Sequence, residues 1–206
     1  MKSNHNGGIL NIDFDGVIAQ TPAASILFHG GPPPYIKDID RWDAPGTEHI
    51  QEDIKVPEFY DILYPYNNAP IAIRGLGDSG WWVRVVSHSP ESRRPLLINW
   101  LKHWGITFDE LVLVHTDNKN VVGPHILLDD KTSTVFHYAD EVGPAILVRR
   151  PWNDQQEGRP ARAVENGGFT YPIAHIGSWE RMVEQIRTWM HKEDSPLWIP
   201  GRRRGG

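Results

Sequence analysis

The chain has 206 residues, a length that suits one domain or one domain carrying a modest insertion. Apolar residues make up 39%, charged residues 23%, and cysteine is absent, which excludes disulfides, zinc–thiolate sites, iron–sulfur clusters and thiol nucleophiles. No apolar run approaches the length of a membrane span, and the opening residues lack the apolar core of a secretory signal, so a cytoplasmic protein is expected.

The net charge of −5 is localised, because from Gly16 to Gly80 nine Asp/Glu stand against four Lys/Arg and the remainder is neutral. Binding to a long polyanion depends on neutralising many phosphates, so nucleic acid is not the expected partner. The one dense basic cluster, Arg202 to Arg204, reads as a solvated end.

Residues 1–8 read as a flexible N-terminus. Ile9–Phe14 then forms the first short aliphatic run, and Val83–Val86, Leu111–Val114, Ile126–Leu128 and Ala145–Val148 repeat the pattern. Continuous apolar runs of this length fit strands covered on both faces, as in a parallel sheet. Between Ile9–Phe14 and Val83–Val86, the stretch 20–80 is Pro-rich, acidic and aromatic with no clear strand, and is expected to be a small, mainly helical insertion. Its end, Gly75 to Gly80, reads as a loop before the next strand. Ser92 is placed to cap a helix with Pro95 in its first turn, a stripe of Leu96, Leu97, Trp100, Leu101 and Trp104, and Gly105 as its stop. After Ser178, Trp179, Met182, Val183, Ile186, Trp189 and Met190 recur at helical spacing. The expected architecture is an α/β open parallel sheet built from 9–19 and 81–192, an insertion 20–80, and a tail 193–206.

Ligands of such sheets sit at the carboxyl ends of the strands. Those ends carry Asp13 and Asp15, then Ser87, then Lys119, then Asp129 and Asp130. Asp13 and Asp15 are two apart, so in extended chain both carboxylates face the same way and require a cation between them. With oxygen ligands alone, Mg²⁺ is the natural ion, and Asp129 supplies a third contribution. Gly16 permits a sharp exit from the strand. The ten histidines form no metal-ligand spacing and read as surface or packing residues.

The ordered set Asp13-Phe14-Asp15-Gly16-Val17, Ser87, Lys119 and Leu127-Leu128-Asp129-Asp130 resembles the four motifs of the haloacid dehalogenase (HAD) phosphohydrolase superfamily. The insertion after the first motif resembles its 5′-nucleotidase (deoxyribonucleotidase) branch. So do Trp100-Leu101 and Trp104-Gly105 after the second, Lys119 ten residues before Asp129, and Arg150-Pro151-Trp152-Asn153. The resemblance covers about residues 9 to 190. It implies a Rossmann-like core with a cap, and Mg²⁺-dependent hydrolysis of a small phosphomonoester, a (deoxy)nucleoside 5′-monophosphate first.

In the implied roles, Asp13 attacks phosphorus and Asp15 serves as acid and then base, its pKa raised by the neighbouring carboxylate. Mg²⁺ is held by Asp13, the Asp15 carbonyl and Asp129. Ser87 and Lys119 bind the phosphate, and Asp130 takes an outer role, orienting water or Lys119. Ser89 competes with Ser87, and Lys131 with Lys119. Trp42 and Phe59 in the insertion are candidates to stack on a nucleobase, against the alternative that they form the cap's own core. Three rival readings remain: phosphatases of other small metabolites, a nucleic-acid end phosphatase, and a phospho-accepting or catalytically silent binding domain.

Overall fold

The structure is a computed structural model that describes residues 8–31, 47–116, 119–123, 125–154 and 171–191. Trp42 and Arg202 to Arg204 lie outside the described residues. Six strands, β1 (Gly8–Asp13), β2 (Trp81–His88), β3 (Glu110–Val114), β4 (Ile126–Asp129), β5 (Ala145–Val148) and β6 (Ile173–Ile176), form one sheet in the order β3-β2-β1-β4-β5-β6. Every neighbouring pair is parallel. The chain builds outward from β1 on one side through β3, then returns to the other side with β4. The crevice between β1 and β4 is therefore the point where the strand order reverses, the usual ligand position in an open α/β sheet.

Register brings the candidate residues level. Asp13 pairs with Val86, one residue before Ser87, and Ile12 pairs with Leu128, one residue before Asp129. Alternation along each strand splits the apolar residues between two cores. Leu10, Ile12, Val83, Val85, Leu128 and Ile146 face one side, whereas Val86, Leu127, Ala145 and Leu147 face the other. Both faces are covered, which is why the strands read as unbroken apolar runs.

On the first face lie α3 (Ala69–Asp78), α4 (Arg94–His103) and α7 (Trp179–His191), which contribute Ile73, Leu76, Leu97, Trp100, Met182 and Ile186 to its core. On the second lies α5 (Thr132–Glu141), with Val135, Tyr138 and Ala139. The acidic insertion supplies α1 (Thr21–Phe28), α2 (Ile50–Asp53) and a 3-10 turn, Pro57–Asp61. These pieces are joined by polar contacts: Ser25 Oγ donates to Asp53 at 2.5 Å in a buried hydrogen bond, and the partly exposed His29 ring lies 2.8 Å from the same carboxylate. An aromatic corner of Phe28, Phe59 and Tyr60 packs edge to face beside them.

Several expectations change. Gly75 and Gly77 lie inside α3 rather than in a loop, because Pro70 in the first turn and the stripe Ala69, Ile73, Leu76 outweigh the low helix propensity of two glycines. That helix falls within 20–80 yet packs on β2 and α7, so the end of this stretch covers the sheet. Ser92 does not cap α4. Residues Glu91–Arg93 form a 3-10 turn, and Arg93 takes the N-cap position without a side-chain cap, its guanidinium drawn inward instead. Gly105 follows the end of α4 at φ +62°, where an L side chain would be strained. Two elements escape the apolar pattern altogether, the short edge strand β6 and helix α5.

Candidate active site

β1 ends at Asp13, and the chain then turns tightly. Ile18 and Ala19 donate backbone hydrogen bonds to the Phe14 carbonyl, and Gly16 N–H donates to Ala19 O. Gly16 sits at φ +79°, and a Cβ there would lie 2.3 Å from Asp130 Oδ2. Glycine is thus required twice over, by the left-handed backbone and by the approach of the acid. Asp15 lies past the end of β1, within this turn, so its placement does not rest on strand alternation. Asp13 and Asp15 line the same cavity, but they take different partners.

Asp13 faces a buried group with one lysine and two further acids. Lys119, from the 3-10 turn Lys119–Val122, places Nζ 2.5 Å from Asp13 Oδ1 and 2.7 Å from Asp129 Oδ2. Asp129 Oδ1 accepts the backbone N–H of Lys131 at 2.8 Å. Asp130 Oδ2 accepts Trp152 Nε1 at 2.7 Å. Carboxylate oxygens of Asp13, Asp129 and Asp130 all lie within 4.8 Å of one another, and all three residues are buried. An all-oxygen set of this kind is hard and anionic, and it fits Mg²⁺ or Ca²⁺ rather than a softer metal.

The electrostatics of the group follow from that crowding. Burial, with Asp129 and Asp130 adding to it, pushes the Asp13 carboxyl well above the ordinary value despite Lys119. Burial and the neighbouring Asp129 push Asp130 up to about 7. Lys119 is raised, because Asp129 and Asp13 outweigh the burial that opposes its charge. With one lysine for three carboxylates, full ionisation would leave excess negative charge, so without a cation the cluster holds on to protons, and a divalent cation would relieve the same repulsion.

Asp15 behaves in the opposite way. Burial works against its ionisation, but the Arg93 charge and hydrogen bonds, with one from Thr21, hold its carboxyl below the ordinary value. Arg93 spans both oxygens, at 2.8 Å to Oδ2 and 3.0 Å to Oδ1, and Thr21 Oγ1 donates to Oδ1 at 2.6 Å. The upward shift expected from a neighbouring carboxylate is thus reversed, because the turn at Gly16 carries Asp15 toward an arginine.

The remaining candidates separate clearly. Ser87 is 0% exposed, and its hydroxyl meets Ser89 Oγ at 2.8 Å and Asp15 Oδ2 at 3.4 Å. Ser89 accepts from Arg93 Nη1 at 2.8 Å. Both serines are buried, and His88 between them lines the cavity. Lys131 lines the cavity with an exposed side chain, while Lys119 is buried at its floor. Phe59 is 0% exposed, enclosed by Phe28 and Tyr60. This burial favours the alternative that Phe59 belongs to the insertion's own core.

The cavity has a volume of about 470 Å³. Asp13, Asp15, Lys119, Asp129 and Asp130 lie on the sheet side, and Ile50, Gln51 and Ile54 of the insertion line it as well. Its support comes from Arg150-Pro151-Trp152-Asn153, which leads into α6 (Pro151–Asp154). Arg150 Nε donates to the Gly16 carbonyl at 2.7 Å, with its guanidinium 3.7 Å from the Tyr66 ring centre. Asn153 accepts from Arg150 N–H and donates to the carbonyls of Asp130 and Val148, at 2.8 to 2.9 Å. This segment therefore braces the turn after Asp13 and the acid pair after β4 together.

No protein-family model and no curated protein matches the sequence. Solved structures do. A predicted phosphatase from Clostridium acetobutylicum superimposes with TM-score 0.59 at 13% identity, covering 88% of this chain and 98% of that one. A HAD phosphatase from Thermococcus onnurineus gives 0.54 at 14% identity, covering 87% and 97%. A HAD-superfamily hydrolase from Ehrlichia chaffeensis gives 0.51 at 12% identity, covering 89% and 97%. The sheet order, the acid-bearing strand ends and these superpositions together establish that the chain has the fold of HAD-superfamily hydrolases.

Proposed function

We propose that the protein hydrolyses small phosphomonoesters through an aspartyl-phosphate formed on Asp13. The observation that carries this reading is the group of Asp13, Lys119, Asp129 and Asp130 at the switch point of the sheet, with Asp15 lining the same cavity. Asp13 Oδ attacks phosphorus as the bond to the leaving oxygen breaks, and Asp15 gives that oxygen a proton. Water then attacks the phosphorus of the intermediate, Asp15 takes its proton, and the bond to Asp13 breaks to release inorganic phosphate. Arg93 favours ionised Asp15 before substrate arrives. A bound phosphate dianion is a like charge beside it, and moves it back toward the protonated form that donates.

Lys119 offsets negative charge on the transferred group from the floor of the cavity. Ser87, whose hydroxyl meets Ser89 and Asp15 beside Asp13, is the first candidate to hydrogen-bond a phosphoryl oxygen, with Ser89 as its competitor. Mg²⁺ fits the oxygen set, and Asp13, Asp130 and the Asp15 carbonyl are the groups that would hold it, neutralising charge between nucleophile and phosphate. Asp129, whose oxygens also accept from Lys119 and Lys131 N–H, keeps lone pairs free and would contribute as the third carboxylate of the set. The resemblance to 5′-nucleotidases makes a nucleoside or deoxynucleoside 5′-monophosphate the leading substrate. Solved structures of the same fold described as phosphatases support the reaction class. A cavity of about 470 Å³ lined partly by Ile50, Gln51 and Ile54 suits an organic leaving group.

The test is phosphate release from nucleoside monophosphates, sugar phosphates and an aryl phosphate, with Mg²⁺, with chelator, and with Asp13→Asn. Mg²⁺-dependent release that favours nucleotides and is abolished by the substitution is the expected result. Release confined to sugar or aryl phosphates replaces the substrate while keeping the chemistry. No release from folded protein overturns the proposal.

A further inference from the structure

Arg93 is 1% exposed, an expensive place for a charge unless its partners are fixed. Its guanidinium meets Asp15 end on, through Nη1 and Nη2, and Nη1 also donates to Ser89. The third nitrogen points the other way. Nε donates to the Tyr60 hydroxyl at 2.5 Å, and that hydroxyl donates onward to the Ile54 carbonyl at 2.9 Å. Ile54 lines the cavity as the C-cap of α2. A continuous chain of hydrogen bonds therefore runs from the insertion's side of the cavity, through Tyr60 and Arg93, to the carboxylate of Asp15. The aromatic faces of Phe14 and Tyr60, 5.4 and 5.8 Å from the guanidinium carbon, hold it from the sides.

We infer that Arg93 is a positioning residue that fixes the plane of the Asp15 carboxylate and links it, through Tyr60, to the insertion's side of the substrate cavity. The inference rests on the phosphomonoesterase reading above. A bidentate fork allows one carboxylate plane where a point charge allows many. Thr21 on Oδ1 removes a further freedom. Arg93 thus acts through Asp15 and touches neither the cavity nor the transferred group. Its contribution belongs to the one bond-breaking event that needs a proton, departure of a poor leaving group.

The experiment compares kcat/KM for an alkyl phosphate (the preferred substrate of the panel) with that for 2,4-dinitrophenyl phosphate, whose leaving group departs without a proton. Because kcat/KM covers steps only through transfer to Asp13, later hydrolysis of the intermediate does not mask the difference. Arg93→Lys keeps the charge and loses the fork. It is expected to lower the alkyl value about 10²-fold, the scale of a general-acid contribution, and to change the dinitrophenyl value far less. Tyr60→Phe is expected to act in the same direction by about tenfold, the scale of one hydrogen bond to a charged group. In an Asp15→Asn background, Arg93→Lys adds nothing further.

Parallel losses on both esters, or a further loss in the Asp15→Asn background, overturn the inference while leaving the hydrolase reading intact. If Arg93→Lys does not fold, Tyr60→Phe decides: a selective alkyl loss supports the link, and an equal loss or none overturns it. Inactivity of the unsubstituted protein on both esters overturns the reading on which the inference stands.

Discussion

Lys119 holds two of three buried carboxylates in check, and its removal leaves them facing one another in a poorly solvated floor. Lys119→Met is expected to destabilise the protein by about 3–5 kcal/mol, the usual cost of stripping one partner from a buried charge pair. Urea denaturation measures that cost, and phosphate release is expected to fall at least about 10²-fold with it. Lys131→Met, at an exposed side chain, is expected to change stability by less than about 0.5 kcal/mol. The contrast separates the two lysines that spacing alone leaves in competition. Asp13 and the acid pair were legible in the sequence because each stands at the end of an apolar run, and Lys119 because it lies shortly after the third run and ten residues before Asp129. Arg93 was not legible, since its partners Asp15 and Tyr60 are 78 and 33 residues away and nothing in the local pattern marks it.

At the scale of elements, the insertion reads as helical and aromatic, but which aromatic ring meets a ligand depends on packing. Phe59→Ala is expected to cost about 3–5 kcal/mol of stability, because it empties a closed corner between Phe28 and Tyr60. At a temperature where the variant stays folded, its KM is expected to match that of the unsubstituted protein. A stacking residue would behave otherwise, raising KM with little loss of stability, so thermal melts and steady-state kinetics together distinguish the roles. The same dependence on packing explains α3, where Ile73 and Leu76 reach the core over two glycines, and the N-terminus of α4, where Asp15 draws Arg93 inward. Propensity and capping rules read neighbours in the chain, and these outcomes were decided by neighbours in space.

For the whole molecule, the two sets of acids give opposite dependences on pH. Asp130, raised from 3.8 to about 7, binds a proton in the folded chain where the unfolded chain has lost it. Between those values the stability of the cation-free protein falls as pH rises. Asp15 is lowered, so its pairing with Arg93 stabilises the fold above the ordinary carboxylate range and is lost on further acidification. Thermal melts with chelator are therefore expected to show a midpoint that declines from about pH 4 to about pH 7. Mg²⁺ is expected to raise the midpoint at neutral pH and remove that decline, because it binds the ionised cluster. An equal slope with and without Mg²⁺ would separate the cluster from metal binding.

Among the described residues no helix is long and apolar enough to cross a membrane, and the sheet buries apolar residues on both faces. By itself, the sequence determined the parallel α/β sheet, the acids and hydroxyl at its strand ends, and the lysine in the turn after the third strand. Alternation, run length and order along the chain are local properties that survive without coordinates. Only the tertiary structure decided which acid meets which cation, that Arg93 lowers the Asp15 carboxyl, that the Ser87 hydroxyl meets Ser89 and Asp15, and that Phe59 is core. Those outcomes depend on a sharp turn at Gly16 and on charges brought together from distant elements, and their energies vary with distance and burial, which spacing along the chain does not encode.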